Sequence, residues 1–186
     1  MFPARRSPVV VVSGLPRSGT SLMMKMLAAA SYDLLTDQVR QGDEFNPNGY
    51  FEFERVKRLK DGDHAWLRQA EGRVVKVVSP LLQYLPPNYT YQVIFMLCDM
   101  GEVLASQRRM LNGFQKSPTP EEDCLLAQAY DEHLARVRDW LARQRNMQVF
   151  YASYNQLVTD PHAAIERANC PLFGPPGEPG TDAGGN

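Results

Sequence analysis

Val9-Val10-Val11-Val12-Ser13-Gly14-Leu15-Pro16-Arg17-Ser18-Gly19-Thr20-Ser21 is the stretch on which the fold turns. Its valines form an uninterrupted β-branched run, the pattern of a parallel strand covered on both faces, so a central strand is expected. From Thr20 to Ala30 the residues are mostly good helix formers without Gly or Pro, which predicts a helix directly after the turn. Between strand and helix, Gly14 and Gly19 stand five positions apart, the spacing of a phosphate-binding loop. Glycines let the backbone curl until successive N–H groups point inward, and the helix N-terminus adds unpaired donors and a positive dipole end. A phosphate is thereby cradled without large net charge. A nucleotide triphosphatase places Lys after the second glycine. Here that position is Thr20, and the cation is Arg17, inside the loop.

Further buried-strand candidates follow at Val74–Val78, Gln92–Leu97 and Gln148–Ala152. Helical stretches separate them at about Phe53–Lys60, Gly101–Asn112 and Pro120–Arg145, the last with Leu126, Tyr130, Leu134, Val137 and Leu141 at helical spacing. This alternation predicts an α/β fold with a central parallel sheet of about four to five strands, flanked by helices and joined by right-handed crossovers. Gln41–Tyr50 is polar and holds Asn46-Pro47-Asn48-Gly49, so it is expected as a loop. One domain is expected over residues 1–169, and the Pro- and Gly-rich residues 170–186 are expected as a frayed tail.

The chain has 186 residues, 44% hydrophobic and 22% charged, which suits a globular domain whose core needs neither disulfide nor metal. Twenty Lys and Arg against 21 Asp and Glu leave a formal charge of −1, so no basic footprint for nucleic acid or anionic lipid is expected. Any anion must be met by local chemistry. Cys98, Cys124 and Cys170 are odd in number and lack C-x-x-C spacing, which argues against a disulfide framework and a zinc site and for reduced, cytoplasmic thiols. Val9–Val12 falls far short of the roughly 20 residues of a membrane span, and no long apolar leader is visible, so neither anchoring nor export is expected.

Residues 11–22, Val-Val-Ser-Gly-Leu-Pro-Arg-Ser-Gly-Thr-Ser-Leu, resemble the 5′-phosphosulfate loop of sulfotransferases that use 3′-phosphoadenosine-5′-phosphosulfate (PAPS). The resemblance implies a three-layer P-loop-type fold, in which Pro16, Arg17, Ser18, Gly19, Thr20 and Ser21 hold the 5′-phosphate and Arg17 neutralises the oxygen released as the sulfuryl group departs. Val93–Ser106 is similar to the family's second motif, a strand running into Arg-Asp-Pro and a helix whose Ser follows the Arg by eight positions. The family's Arg and Ser bind the 3′-phosphate; Ser106 keeps its place, while Cys98 stands where Arg is expected and Met100 where Pro is common. Arg108 or Arg109, close beyond Ser106, are candidate substitutes. Val149–Pro161 is similar to the strand followed by Tyr-Glu-x-Leu and a closing Asp-Pro, which implies that Tyr154 touches the adenine.

The chemistry so implied is an in-line sulfuryl transfer from PAPS to a hydroxyl or amine acceptor, dominated by positioning and charge stabilisation and requiring no metal. A base must take the acceptor proton. Small-molecule sulfotransferases commonly use His in a Lys-x-His segment after the second strand; here Lys76-Val77-Val78-Ser79 keeps the Lys and lacks the His. His64, His133 and His162 lie elsewhere and are read as packing or surface residues. Asn46-Pro47-Asn48-Gly49-Tyr50-Phe51-Glu52-Phe53-Glu54 instead resembles the Asn-Pro-x-Gly-Tyr-x-Glu segment of bacterial and Golgi-type relatives, in which a Glu serves as base. Glu52 follows the motif directly and is favoured over Glu54; the alternative is that both carboxylates favour the start of the helix near Phe53. Lys57, Arg58 and Lys60 spread over more than one helix face and read as solvated. Leu81–Tyr89 offers aromatics for an acceptor pocket, although its leucines suit a core better. Two other functions stand beside transfer: a homologue that binds nucleotide or phosphate without turnover, for which Cys98 speaks, and a small-molecule kinase, against which the missing Lys counts. Acceptor identity and oligomeric state are not readable from the chain.

Overall fold

A computed structural model describes residues 7–37, 42, 49–113 and 118–168. The expected tail and Asn46-Pro47-Asn48 lie outside the described residues. Four strands, β1 (Val9–Gly14), β2 (Val74–Lys76), β3 (Tyr91–Leu97) and β4 (Met147–Ser153), form one parallel sheet in the order β2-β1-β3-β4. Val11 lies between Val75 and Val93, and Val93 in turn faces Val149, so β-branched side chains meet across all four strands. Every residue of β1 is buried, as its valine run predicts.

Among the described residues six α-helices accompany the sheet: α1 (Thr20–Ala29), α2 (Leu67–Ala70), α3 (Met100–Gly113), α4 (Pro120–Ala142), α5 (Tyr154–Thr159) and α6 (Pro161–Ala168). The strands' two-residue period sends alternate side chains to opposite faces, and two cores result. Val10, Val12, Ile94 and Met96 pack on Met23, Met24 and Leu27 of α1, with Leu157 and Ala164 of α5 and α6. Val9, Val11, Val93 and Phe95 pack on Trp66 and Leu67 beside Leu141 of α4, with Leu134 and Val137 against them. The fold is therefore three layers of α/β, as expected. Full burial of each such Val or Leu favours folding by about 1.5–3 kcal/mol over its exposure.

The expected helix over Phe53–Lys60 is a 3-10 helix over Glu54–Asp61. Its buried Val56 and Leu59 are three residues apart, which matches the three-residue repeat of that helix better than the α-helical one. β2 ends at Lys76, short of the expected Val78, because a second 3-10 helix, Ser79–Tyr84, starts just after it with Pro80 in its first turn. Leu82 and Leu85 of the segment considered for an acceptor pocket are buried in the core. Among the described residues no helix is long and apolar enough to cross a membrane.

From β1 the chain goes to β2 on one side and returns to β3 on the other. The order of an open parallel sheet reverses there, and the crevice beyond the strands' carboxyl ends at that point is where such sheets bind ligands. The Gly14–Thr20 turn sits at that place.

Candidate functional site

The turn is held by strained and sterically selected backbone. Gly14 has φ 153° and a Cβ there would lie 2.9 Å from the Met96 carbonyl oxygen and 2.5 Å from Ser18 Oγ. Gly19 caps α1 in a left-handed conformation, φ 91° and ψ 13°, with the Tyr154 ring so close that a Cβ would meet its Cδ2 at 2.4 Å. Arg17, a non-glycine, is also left-handed at φ 70°. Ser18 turns inward: its Oγ donates to the Leu15 carbonyl at 2.7 Å. Gly19, the N-cap residue of α1, makes no side-chain cap, so the first turn presents main-chain donors and the positive dipole end.

Two cations, Arg17 of the turn and Lys76 of β2, line the same cleft. Arg17 Nε donates to Ser106 Oγ of α3 at 2.9 Å, across 89 residues of chain. Lys76, at the end of β2, reaches Ser21 Oγ at 3.2 Å and the Tyr50 carbonyl at 2.9 Å, so one ammonium ties the first turn of α1 to the segment that carries Glu52. Around them opens a cleft of about 520 Å³, within the range of small-ligand sites. Of the residues singled out from sequence, Pro16, Arg17, Gly19, Thr20, Ser21, Glu52, Lys76, Ser106 and Tyr154 line it.

Ser18, Glu54 and Cys98 are outside the lining. Glu54 accepts from Lys57 Nζ at 2.6 Å, and its own N–H donates to Asp37 Oδ2 at 2.6 Å, so Asp37 rather than a glutamate serves the start of the 3-10 helix. Lys57 is held above the usual lysine range, chiefly by that bond to Glu54. Glu52 Oε2 lies 3.5 Å from the same ammonium. Cys98 donates from Sγ to Glu102 Oε2 at 3.7 Å; burial first, and then the nearby Glu102 charge, push its thiol up to about 11. The other oxygen of Glu102 accepts from Asn155 Nδ2 at 2.7 Å. Of the candidate substitutes for the absent Arg, Arg108 pairs with Asp123 of α4, while Arg109 is exposed and outside the cleft lining.

Tyr50, Gln107, Met110 and Tyr130 also line the cleft and were not singled out as site residues in the sequence. Tyr130 belongs to the apolar stripe of α4 and was indistinguishable there from core; burial raises its phenol above the usual range. Ser79 Oγ, buried, is hydrogen-bonded to His133 Nε2 at 2.9 Å. α4 thus brings an imidazole beside the very segment that lacks one after Lys76; Ser79 follows the cleft-lining Val78 in sequence, and His133 lies about one helical turn beyond the cleft-lining Tyr130. Burial, and then Arg136, lower the His133 pKa. A hollow of about 660 Å³ at the opposite end of the sheet is larger, but its Tyr91 hydroxyl donates to the Pro86 carbonyl and its Asn146 amide to the Tyr89 carbonyl, bonds that fasten turns.

No protein-family model matches the chain, and no curated protein matches it. Among solved structures, the sulfotransferase domain from the curacin biosynthetic pathway is similar to it over 95% of this chain and 77% of that domain, with a TM-score of 0.48 and 14% identity.

Proposed function

We propose that the chain is a transferase that moves a sulfuryl group from a nucleotide 5′-phosphosulfate to a hydroxyl or amine, with PAPS as the donor its motifs point to. The observation that supports this reading is that Arg17 and Lys76 line one cleft with a glycine-flanked turn at the N-terminus of α1, at the sheet's switch point. The residues present suit a 5′-phosphosulfate. Main-chain donors of the turn, Thr20 and Ser21 would hold its oxygens, and Arg17 with Lys76 would stabilise the negative charge that develops on the departing phosphate. Glu52, in the same cleft, would take the proton of the acceptor as its oxygen or nitrogen bonds to sulfur. The residues around Cys98 do not suit a 3′-phosphate, since Glu102 occupies that thiol.

The test is transfer of labelled sulfate from PAPS to a panel of small hydroxyl and amine acceptors. Arg17→Ala should lower turnover by on the order of 10²-fold or more, the scale for losing one preorganised donor to a developing anion. Unchanged turnover overturns the role given to Arg17. The Cys98–Glu102 contact favours a second reading, a nucleotide-binding protein without transfer; binding of 3′-phosphoadenosine 5′-phosphate with no sulfated product from any acceptor would establish it.

A further inference from the structure

Three side chains with apolar bodies, drawn from three elements, line the cleft on the side of β2. Lys76, at the end of that strand, donates to the Tyr50 carbonyl, which brings the cleft-lining Glu52 to the same side. Val78 follows Lys76, and α4 is tied to the next residue through the bond between Ser79 and His133. A second tie of α4 is the pair of its Asp123 with Arg108 of α3. Tyr130 lies between these two anchor points along α4, on the stretch that runs from α3 toward the end of β2. Met110 of α3 comes one turn after Ser106, which accepts from Arg17. Val78, Met110 and Tyr130 are each half-buried, and all three line the cleft. Among the described lining residues the charged ones are Arg17, Lys76 and Glu52, so neither α3 nor α4 adds a charge to that lining.

We infer that the acceptor for this site is a neutral aromatic alcohol or amine, its ring held by Val78, Met110 and Tyr130 and its hydroxyl or amino group toward Glu52. This rests on the transfer reading proposed above and narrows it to one class of acceptor. The acceptor's O–H or N–H gives its proton to Glu52 as its oxygen or nitrogen bonds to sulfur; the sulfur–oxygen bond to the donor phosphate breaks, and its electron pair leaves on that phosphate. A flat ring suits this wall because a thioether and a phenol ring both make favourable contacts with aromatic faces and edges. Burial raises the Tyr130 phenol above its usual range, so it stays neutral against such a ring. A sugar would set several hydroxyls against Val78 and Met110 without partners, and an acid would bring a second carboxylate to Glu52 and strip it of water.

The experiment is ligand-observed magnetic resonance titration of the full chain with para-propylphenol, para-propylbenzoate and glucose. Phosphate buffer keeps the loop cations supplied with an anion, so that the benzoate is not drawn to them. The phenol should bind at least about fivefold more tightly than either of the others, the low end of the scale for leaving a buried polar group unpaired. Met110→Ala and Tyr130→Leu should each weaken the phenol by about twofold to tenfold. Leu125→Ala, exposed on α4 and outside the cleft lining, should leave its affinity unchanged. Met110 and Tyr130 lie on different helices, so if one variant fails to fold the other decides. No phenol binding, equal or tighter binding of the benzoate or of glucose, or a phenol affinity indifferent to the cleft variants overturns the inference; sulfated product from PAPS with another acceptor then leaves the proposed function standing. The expected binding pattern without sulfated phenol from PAPS overturns the proposed transfer, and with it the ligand's part as acceptor. Sulfated phenol, with KM raised by Met110→Ala, supports both.

Discussion

Replacing Gly19 by Ala tests whether the turn's shape depends on the contact with Tyr154. The φ of 91° costs a residue with a Cβ about 1–2 kcal/mol. The added methyl would lie 2.4 Å from Tyr154 Cδ2, so ring and turn must separate by about 1 Å to reach ordinary contact. Tyr154 is the first residue of α5, held in place by Ser153, whose Oγ accepts from the Gln156 N–H, so the ring cannot retreat without disturbing that helix start. Overpacking of this kind typically costs about 1–3 kcal/mol. The sum is about 2–5 kcal/mol, which corresponds to a melting temperature lower by roughly 4–20 °C for a domain of this size. Urea unfolding of wild type, Gly19→Ala, Tyr154→Ala and the double variant separates the two contributions. With the ring removed, Gly19→Ala should cost only the backbone part, leaving a coupling of about 1–3 kcal/mol between the sites. An equal cost in both backgrounds would refute the steric argument, and a cost below about 0.5 kcal/mol in wild type would refute the backbone argument as well.

Glu52→Gln should leave nucleotide binding intact and lower transfer by roughly 10²-fold to 10⁴-fold, whereas Glu54→Gln, outside the cleft, should change transfer little; a reversed outcome in the transfer assay moves the base to Glu54. Cys98, with its thiol at about 11, should react with iodoacetamide at pH 8 on the order of 10²-fold more slowly than an ordinary cysteine, and Glu102→Gln should speed it; mass-spectrometric alkylation rates decide this, and a rate like that of a free thiol contradicts it. His133 has a lowered pKa, so the unfolded chain binds its proton more readily. Its contribution is therefore fully present above the unfolded value of about 6.5 and is lost as pH falls from there through the folded value. Urea midpoints measured from pH 7.5 down to 5 should show a shallower decline in His133→Gln than in wild type, and parallel declines would exclude the imidazole as the cause.

Contiguity decided what could be read in advance. The strand, the turn with its glycines and the helix follow one another without a break from Val9 to Ala29, and their order alone announces the layout. β3 and β4 fell within a residue of their expected bounds, because buried strands of a parallel sheet are written as apolar runs, whereas β1 continues two residues past its valines, since Ser13 and Gly14 still pair with Phe95 and Met96. The short helices α2, α5 and α6 and the second 3-10 helix are too brief for periodicity to separate them from loops. Side-chain convergence was the least legible. Arg17 with Ser106, Lys76 with Ser21 and Ser79 with His133 join residues 89, 55 and 54 positions apart, and nothing local marks the partners. For Ser106 and Lys76 the family likeness singled out the residues but not these partners. His133 had no such guide.

The left-handed backbone at Arg17 has a consequence for protein engineering. At φ 70° an arginine bears about 1–2 kcal/mol that glycine would not, so the position favours glycine on conformational grounds, whereas the proposed transfer requires a cation there. Random libraries sorted only for heat resistance would accept Arg17→Gly and discard the charge, giving sturdier chains whose cleft has lost one of its cations. A thermal screen of this scaffold therefore needs a concurrent ligand-binding gate at that one codon, and enrichment of glycine there would be a sign that selection has drifted from the site.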